Sequence, residues 1–179
     1  TSSPRLGGVL IAGGQDEADQ ALADVWFWNG DTWVARANLP APRVSGNLGV
    51  EPPDGGIILV GGQRVDGCCH SGTLLYDVVR DTWSSVANDG LAVQSWGSGM
   101  TQDGARSELV RFGGDIVGGA LSRETWYWST GRWRPDAVQS PPSARSRMGM
   151  VYDPIRGNIL MFGGVDSAGS AIRQTWIRY

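Results

Sequence analysis

Four glycine doublets, Gly13-Gly14, Gly61-Gly62, Gly113-Gly114 and Gly163-Gly164, each close an apolar run, and their second glycines stand at 14, 62, 114 and 164, in steps of 48, 52 and 50 residues. The runs are Val9-Leu10-Ile11-Ala12, Ile57-Ile58-Leu59-Val60, Leu109-Val110-Arg111-Phe112 and Ile159-Leu160-Met161-Phe162. Each is short and rich in β-branched or bulky residues, which predicts a buried strand ending on Gly-Gly. A chain built this way is a tandem repeat.

The register between repeats extends past the glycines. Twelve residues beyond each doublet stand Trp26, Leu74, Trp126 and Trp176, and fourteen beyond stand Trp28, Tyr76, Trp128 and Arg178. Large side chains two apart predict a second strand at constant offset. Trp33, Trp83 and Trp133 follow at offsets of 19, 21 and 19, through Asn29-Gly30-Asp31, Val79-Arg80-Asp81 and Ser129-Thr130-Gly131, which read as hairpin turns. A helical solenoid is excluded by the glycine punctuation and by the lack of a sustained 3.6-residue period.

An apolar strand closing on Gly-Gly, an aromatic strand and a hairpin to Trp, at a period near 50, resembles the kelch repeat, the blade of a β-propeller. The resemblance covers nearly the whole chain. It implies an all-β fold, a kelch-type propeller segment of four antiparallel blades at approximately 8–36, 43–87, 92–137 and 145–179, forming part of a larger six- or seven-bladed ring. Leu74 and Arg178 depart from the aromatic pattern, so the second and fourth units are the less regular ones. A first strand before each doublet run is expected over 43–50, 94–100 and 145–152 and is missing before Val9, giving three, four, four and three strands. Trp33, Trp83 and Trp133 are expected to be largely buried between sheets. The ragged ends imply either a fragment, the favoured reading, or a chain closed by another; further blades or a protein partner would then cover both ends.

Composition narrows the function classes. With 41% apolar residues and no run near the roughly 20 that span a bilayer, membrane insertion is not expected. The formal charge of −3, with 18 acidic residues against 15 scattered arginines and no lysine, argues against a nucleic-acid partner. Without an initiator Met or signal peptide the chain reads as a processed or excised segment, and its compartment stays open.

The cysteine and histidine inventory is Cys68, Cys69 and His70. Adjacent cysteines cannot staple distant parts of a fold, leaving a vicinal disulfide, a bond to another chain, or thiols. Three consecutive residues make poor ligands for one tetrahedral ion, so no metal and no cofactor are expected. Galactose oxidase, in the same superfamily, needs two histidines and two tyrosines besides a cysteine, which this chain does not supply. An oxidase would have to place its chemistry in other blades. No Gly-x-Ser-x-Gly elbow occurs. Asp16, Glu17 and Asp19 read as a solvated loop, and Asp115 and Asp166 as turn formers.

The expected site therefore lies on the face with the longer loops, at 15–21, 63–72, 115–122 and 165–170. Arg64 and the segments leading into each inner strand, with Arg43, Ser45, Ser95, Trp96, Arg145 and Arg147, resemble the residues with which kelch propellers grip peptides, since Arg offers a planar fork to carboxylates and Trp a rigid platform. The alternative for Arg43 and Arg145 is satisfaction of backbone carbonyls. The expectation is a non-enzymatic protein-interaction or assembly scaffold with no catalytic residues. The competing readings are a carbohydrate-acting or copper-dependent oxidase whose chemistry lies outside the segment, and a carbohydrate-binding module using Trp96 and the acidic loops.

Overall fold

The computed structural model describes residues 1–3, 7–51, 55–67, 69–92, 94–137 and 140–178. Every regular element among them is a β-strand, and four antiparallel sheets follow one another along the chain. The first contains β1 (Ser2–Ser3), β2 (Gly8–Gln15), β3 (Ala21–Trp28) and β4 (Trp33–Arg36); the second contains β5 (Asn47–Glu51), β6 (Gly56–Val60), β7 (Thr73–Asp77) and β8 (Thr82–Ser85). A two-stranded piece, β9 (Ser95–Trp96) with β12 (Asp115–Ile116), flanks the third sheet of β10 (Gly99–Asp103), β11 (Glu108–Phe112), β13 (Thr125–Ser129) and β14 (Arg132–Pro135). The fourth sheet has β15 (Gly149–Asp153), β16 (Asn158–Phe162) and β17 (Thr175–Arg178).

Within each sheet sequential strands are neighbours, as short turns between antiparallel strands require. Three of those turns share one device. Asp103 and Asp153 each accept two backbone N–H groups through Oδ1 while Oδ2 holds the arginine three residues on, Arg106 and Arg156. Asp77 and Arg80 repeat it between β7 and β8. Residues 52–54, between β5 and β6, lie outside the described residues.

Pleating gives each sheet two faces, and successive sheets stack front to back. Leu10, Val25 and Phe27 of the first pack on Ile57, Leu59, Leu74 and Tyr76 of the second. Ile58 and Val60 on the second sheet's other face meet Leu109, Trp126, Trp128 and Trp133 of the third. Val110 and Tyr127 continue to Ile159 of the fourth, with Phe112 against Met161 beside them. In each of the first three sheets the third-strand aromatic and fourth-strand Trp meet at a tilt, with ring centroids 5.5 Å apart for Trp28–Trp33, 4.8 Å for Tyr76–Trp83 and 5.4 Å for Trp128–Trp133.

Three expectations need correction. The first sheet has four strands, because Thr1 exchanges two backbone bonds with Leu10, both 2.8 Å, and Ser2–Ser3 then pair with Val9 and Gly8. The inner strands begin later than expected, at Asn47, Gly99 and Gly149. The chain turns first at Ser45, Gly97 and Arg147, whose φ values of 54°, 61° and 59° are left-handed and break the ladder. The tryptophan ladder is not uniformly buried either. Trp133 is 3% exposed and Trp83 half-buried, but Trp33 is 46% exposed, since among the described residues no sheet packs on the front of the first.

These differences set a stability order. Trp133→Ala should cost about 3–5 kcal/mol, as for a large side chain removed from a core, and Trp33→Ala less than about half of that because much of its surface is already wet. Urea denaturation of the two variants checks the order; equal losses would mean that the first sheet's front is covered in solution.

Candidate functional site

The four doublets lie at one end of the sheets, beside the segments that lead into the inner strands. Both glycines of every doublet have positive φ, for example 66° and 101° at Gly61 and Gly62. A Cβ on Gly61 would sit 2.3 Å from the carbonyl oxygen of Ser95, and one on Gly13 or Gly113 would sit 2.6 or 2.4 Å from those of Arg43 and Arg145. Only glycine allows the next unit's backbone to approach so closely. The second glycine then donates its N–H to that same carbonyl: Gly14 to Arg43 at 2.9 Å, Gly62 to Ser95 at 3.3 Å and Gly114 to Arg145 at 2.9 Å.

A second series of bonds runs beside the first. Gly97 N donates to Ser45 O at 3.2 Å, and Arg147 N donates to Gly97 O at 2.6 Å. The three left-handed residues of successive units are thus joined in a line. This explains why Ser45 and Arg147, which ordinarily avoid such a conformation, tolerate it here. The residue before each, Val44, Trp96 or Ser146, pairs with the residue after the doublet, Gln63, Asp115 or Val165.

One arginine is buried at each junction between sheets. Arg43, 4% exposed, touches the positions of Gly13 and Gly62 with its side chain and donates from Nη1 to Gly61 O at 3.0 Å. Arg145, fully buried, donates in the corresponding way to Gly163 O at 3.2 Å and also to Ser143 and Gln174. In the third unit the equivalent position holds Ser95, whose hydroxyl takes over the bond to the doublet carbonyl, Gly113 O, at 3.3 Å. Here the guanidinium comes from Arg111 of β11, which donates to Ser95 O, Ser95 Oγ and Ser98 Oγ. Asn47 joins this network by donating to Ser98 Oγ at 2.6 Å. Where Arg111 stands, the second and fourth sheets have Leu59 and Met161.

Desolvation pushes Arg43 and Arg111 down to about 10 and lowers Arg145 as well. At neutral pH all three remain cations, embedded among carbonyl and hydroxyl dipoles. Sequence reasoning passed over Arg111. Its signal was a lone arginine inside an apolar strand, coupled to the serine at position 95.

The predicted binding residues therefore divide. Arg43, Ser95 and Arg145 are buried and bonded to the protein's own backbone, while Ser45 and Arg147 are exposed and Trp96 is half-buried beside them. The Arg147 side chain passes near Gly97, and so does the Asp115 carboxylate, whose Oδ2 is buried without a hydrogen-bond partner. Arg64 lies on the loop between β6 and β7, in an exposed ion pair with Asp66 at 3.0 Å. Asp16 and Asp166 are turn formers, each accepting two backbone N–H groups through Oδ1.

Cys69 is a buried thiol and Cys68 lies outside the described residues. No group of three or more metal-binding side chains occurs among the described residues. His70 donates its backbone N–H to Gly62 O at 2.8 Å and sets Nε2 2.9 Å from Pro42 O, so it ties its loop to the site.

No protein-family model matches the chain. It is 29% identical over 134 residues to tRNA wybutosine-synthesizing protein 4 of Emericella nidulans, a match covering 68% of this chain. The matched stretch spans only 12% of that protein's length. The expectation of a non-enzymatic chain is overturned by this match, because the similar protein is named for a synthetic activity.

Two measurements test the site's construction. Arg111→Met leaves Ser95 and Ser98 without their buried donor and should destabilise the protein by about 2–4 kcal/mol. Adding Ser95→Arg restores the arrangement of the second and fourth sheets, so the double variant should melt above the single one. Burial is the main influence holding His70 below its ordinary 6.5, opposed by its bond to Pro42 O, with Arg43 and Arg64 lowering it further and Asp66 raising it. The unfolded chain then binds more protons, so this contribution is complete above pH 6.5 and is lost as acidification passes the lowered folded value. Thermal melts from about pH 7.5 to 5.5 should show a fall in stability that His70→Gln flattens.

Proposed function

We propose that this chain is a kelch-type propeller segment of a tRNA-modifying enzyme, and that its doublet end docks the protein portion carrying the chemistry. The carrying observation is the match to a wybutosine-synthesizing protein across two thirds of the chain. The repeat of Gly-Gly, aromatic strand and hairpin Trp supports the propeller part of the reading. In this reading further blades continue the array at both ends.

A protein rather than an RNA partner is favoured by charge and access. The three junction arginines are buried against backbone, and the chain carries a net −3. Phosphate binding needs several accessible cations acting together. Exposed Ser45 and Arg147, with half-buried Trp96 beside them, present instead one fork, one hydroxyl and one aromatic surface, a set suited to a carboxylate-bearing protein segment.

In the complete enzyme, Arg147→Ala should lower formation of modified tRNA while leaving tRNA affinity within about twofold. Filter binding at low and moderate salt, alongside product formation, separates the two effects. Tight, steeply salt-dependent tRNA binding by the 179-residue chain itself would overturn the protein-docking reading.

A further inference from the structure

Arg43 and Arg145 occupy equivalent places in the second and fourth units, but their donors are met to different degrees. Arg145 donates from Nη1 to Gly163 O, from Nε to Ser143 O at 3.1 Å, and from Nη2 to Ser143 Oγ at 2.8 Å and Gln174 Oε1 at 3.1 Å. Among the described residues Arg43 repeats the first of these bonds alone, to Gly61 O, and its Nε is buried with no hydrogen-bond partner. No ion pair among the described residues involves Arg43, although it is 4% exposed. A buried guanidinium donor left unmet is costly.

The difference lies in two residues. Gly62 O accepts from His70 N as Gly164 O accepts from Ile172 N, and Val60 pairs with Thr73 as Phe162 pairs with Thr175, so Gly72 stands where Gln174 stands. Two residues before each arginine, Ala41 stands where Ser143 stands. The second unit therefore lacks both the hydroxyl and the carboxamide that accept from Arg145. Apart from its chain neighbours, a Cβ on Gly72 would have one described atom within 4 Å, Asp89 Oδ2 at 3.7 Å. That carboxylate is already bonded to Thr73 Oγ1 and the N–H of Leu91. Ala41 and Gly72 are both part-exposed, so a group can arrive from solvent. His70 stands beside the place, with Nε2 on Pro42 O and Arg43 near enough for its charge to act on the imidazole.

We propose that Arg43 binds a carboxylate here, one oxygen accepting from Nε and the other from Nη2, in the place that Ser143 and Gln174 fill for Arg145. A carboxylate suits the place better than a neutral acceptor because it also supplies a counter-charge to a buried guanidinium. A small free acid and an acidic side chain in a peptide offer the same group. The inference rests on the comparison of two arginines within one chain and stands apart from the docking role of Ser45, Trp96 and Arg147.

The chain has a single histidine, so His70 is a unique reporter beside the site. Sodium formate is titrated into the 179-residue chain against sodium chloride at equal ionic strength, while the His70 imidazole resonances are followed by NMR. N-acetyl-glutamic acid α-amide serves as a second probe, presenting the carboxylate on a peptide-like stem. Formate should shift the resonances saturably and move the imidazole titration to higher pH, because a bound anion favours the imidazolium. Saturation by the glutamate probe as well would assign the seat to an acidic side chain, and saturation by formate alone to a small free acid; both support the site. Ala41→Ser supplies the hydroxyl that Arg145 already has. It should weaken formate binding about fivefold or more and raise the melting temperature measured without formate. A response that is linear in formate, equal in sodium chloride, or unchanged by Ala41→Ser would overturn the proposal.

Discussion

The contact on which the remaining structure depends is the approach of each Gly-Gly doublet to the carbonyl of the next unit. Three such contacts, Gly14 to Arg43, Gly62 to Ser95 and Gly114 to Arg145, join four sheets that share no strand. Apolar packing alone would let two sheet faces slide or rotate, because it has no preferred direction. A backbone bond at a glycine that tolerates no Cβ fixes both spacing and angle. The parallel line of bonds through Ser45, Gly97 and Arg147 fixes the same junctions a second time.

That close approach creates a polar problem, and the buried arginines answer it. Bringing two turns together at each junction buries carbonyl groups away from water, and an unmatched buried carbonyl is costly. A guanidinium offers several donors in one plane and retains its charge even when desolvation lowers it to about 10, as at Arg43 and Arg111. The third unit shows that the requirement belongs to the junction rather than to a sequence position. There, Ser95 satisfies the doublet carbonyl and Arg111 arrives from a different strand.

Much of this was legible in the sequence. The doublets marked strand ends, the aromatics two residues apart marked the third strands, and the offset to Trp83 and Trp133 marked the hairpins. Other features were hidden for definite reasons. Left-handed Ser45 and Arg147 carry no local signal, because their conformation is imposed by bonds from another unit. The short β1 depends on the paired bonds between Thr1 and Leu10, and two residues are too few to show a period. The burial of Arg43 and Arg145 could not be read either: an arginine in a lead-in segment looks the same whether it faces solvent or a neighbouring carbonyl.

The front-to-back packing has a consequence for how such a chain is completed. Each junction joins the back of one sheet to the front of the next, two different surfaces, so the contact is heterologous and does not close on itself in pairs. The front of the first sheet leaves Val9, Ile11, Trp26 and Trp33 between 37% and 47% exposed, and the back of the fourth leaves Phe162 and Ile177 61% and 47% exposed. These two surfaces are of the complementary kinds that meet inside the protein three times, but among the described residues they do not meet each other. Adding a unit at either end covers one surface and presents another of the same kind, so only a ring or a different capping element ends the series. Under the proposed reading, the enzyme's remaining polypeptide performs that closure, and the orientation of the doublet end toward the catalytic portion then follows from the same backbone contacts that hold the four sheets together.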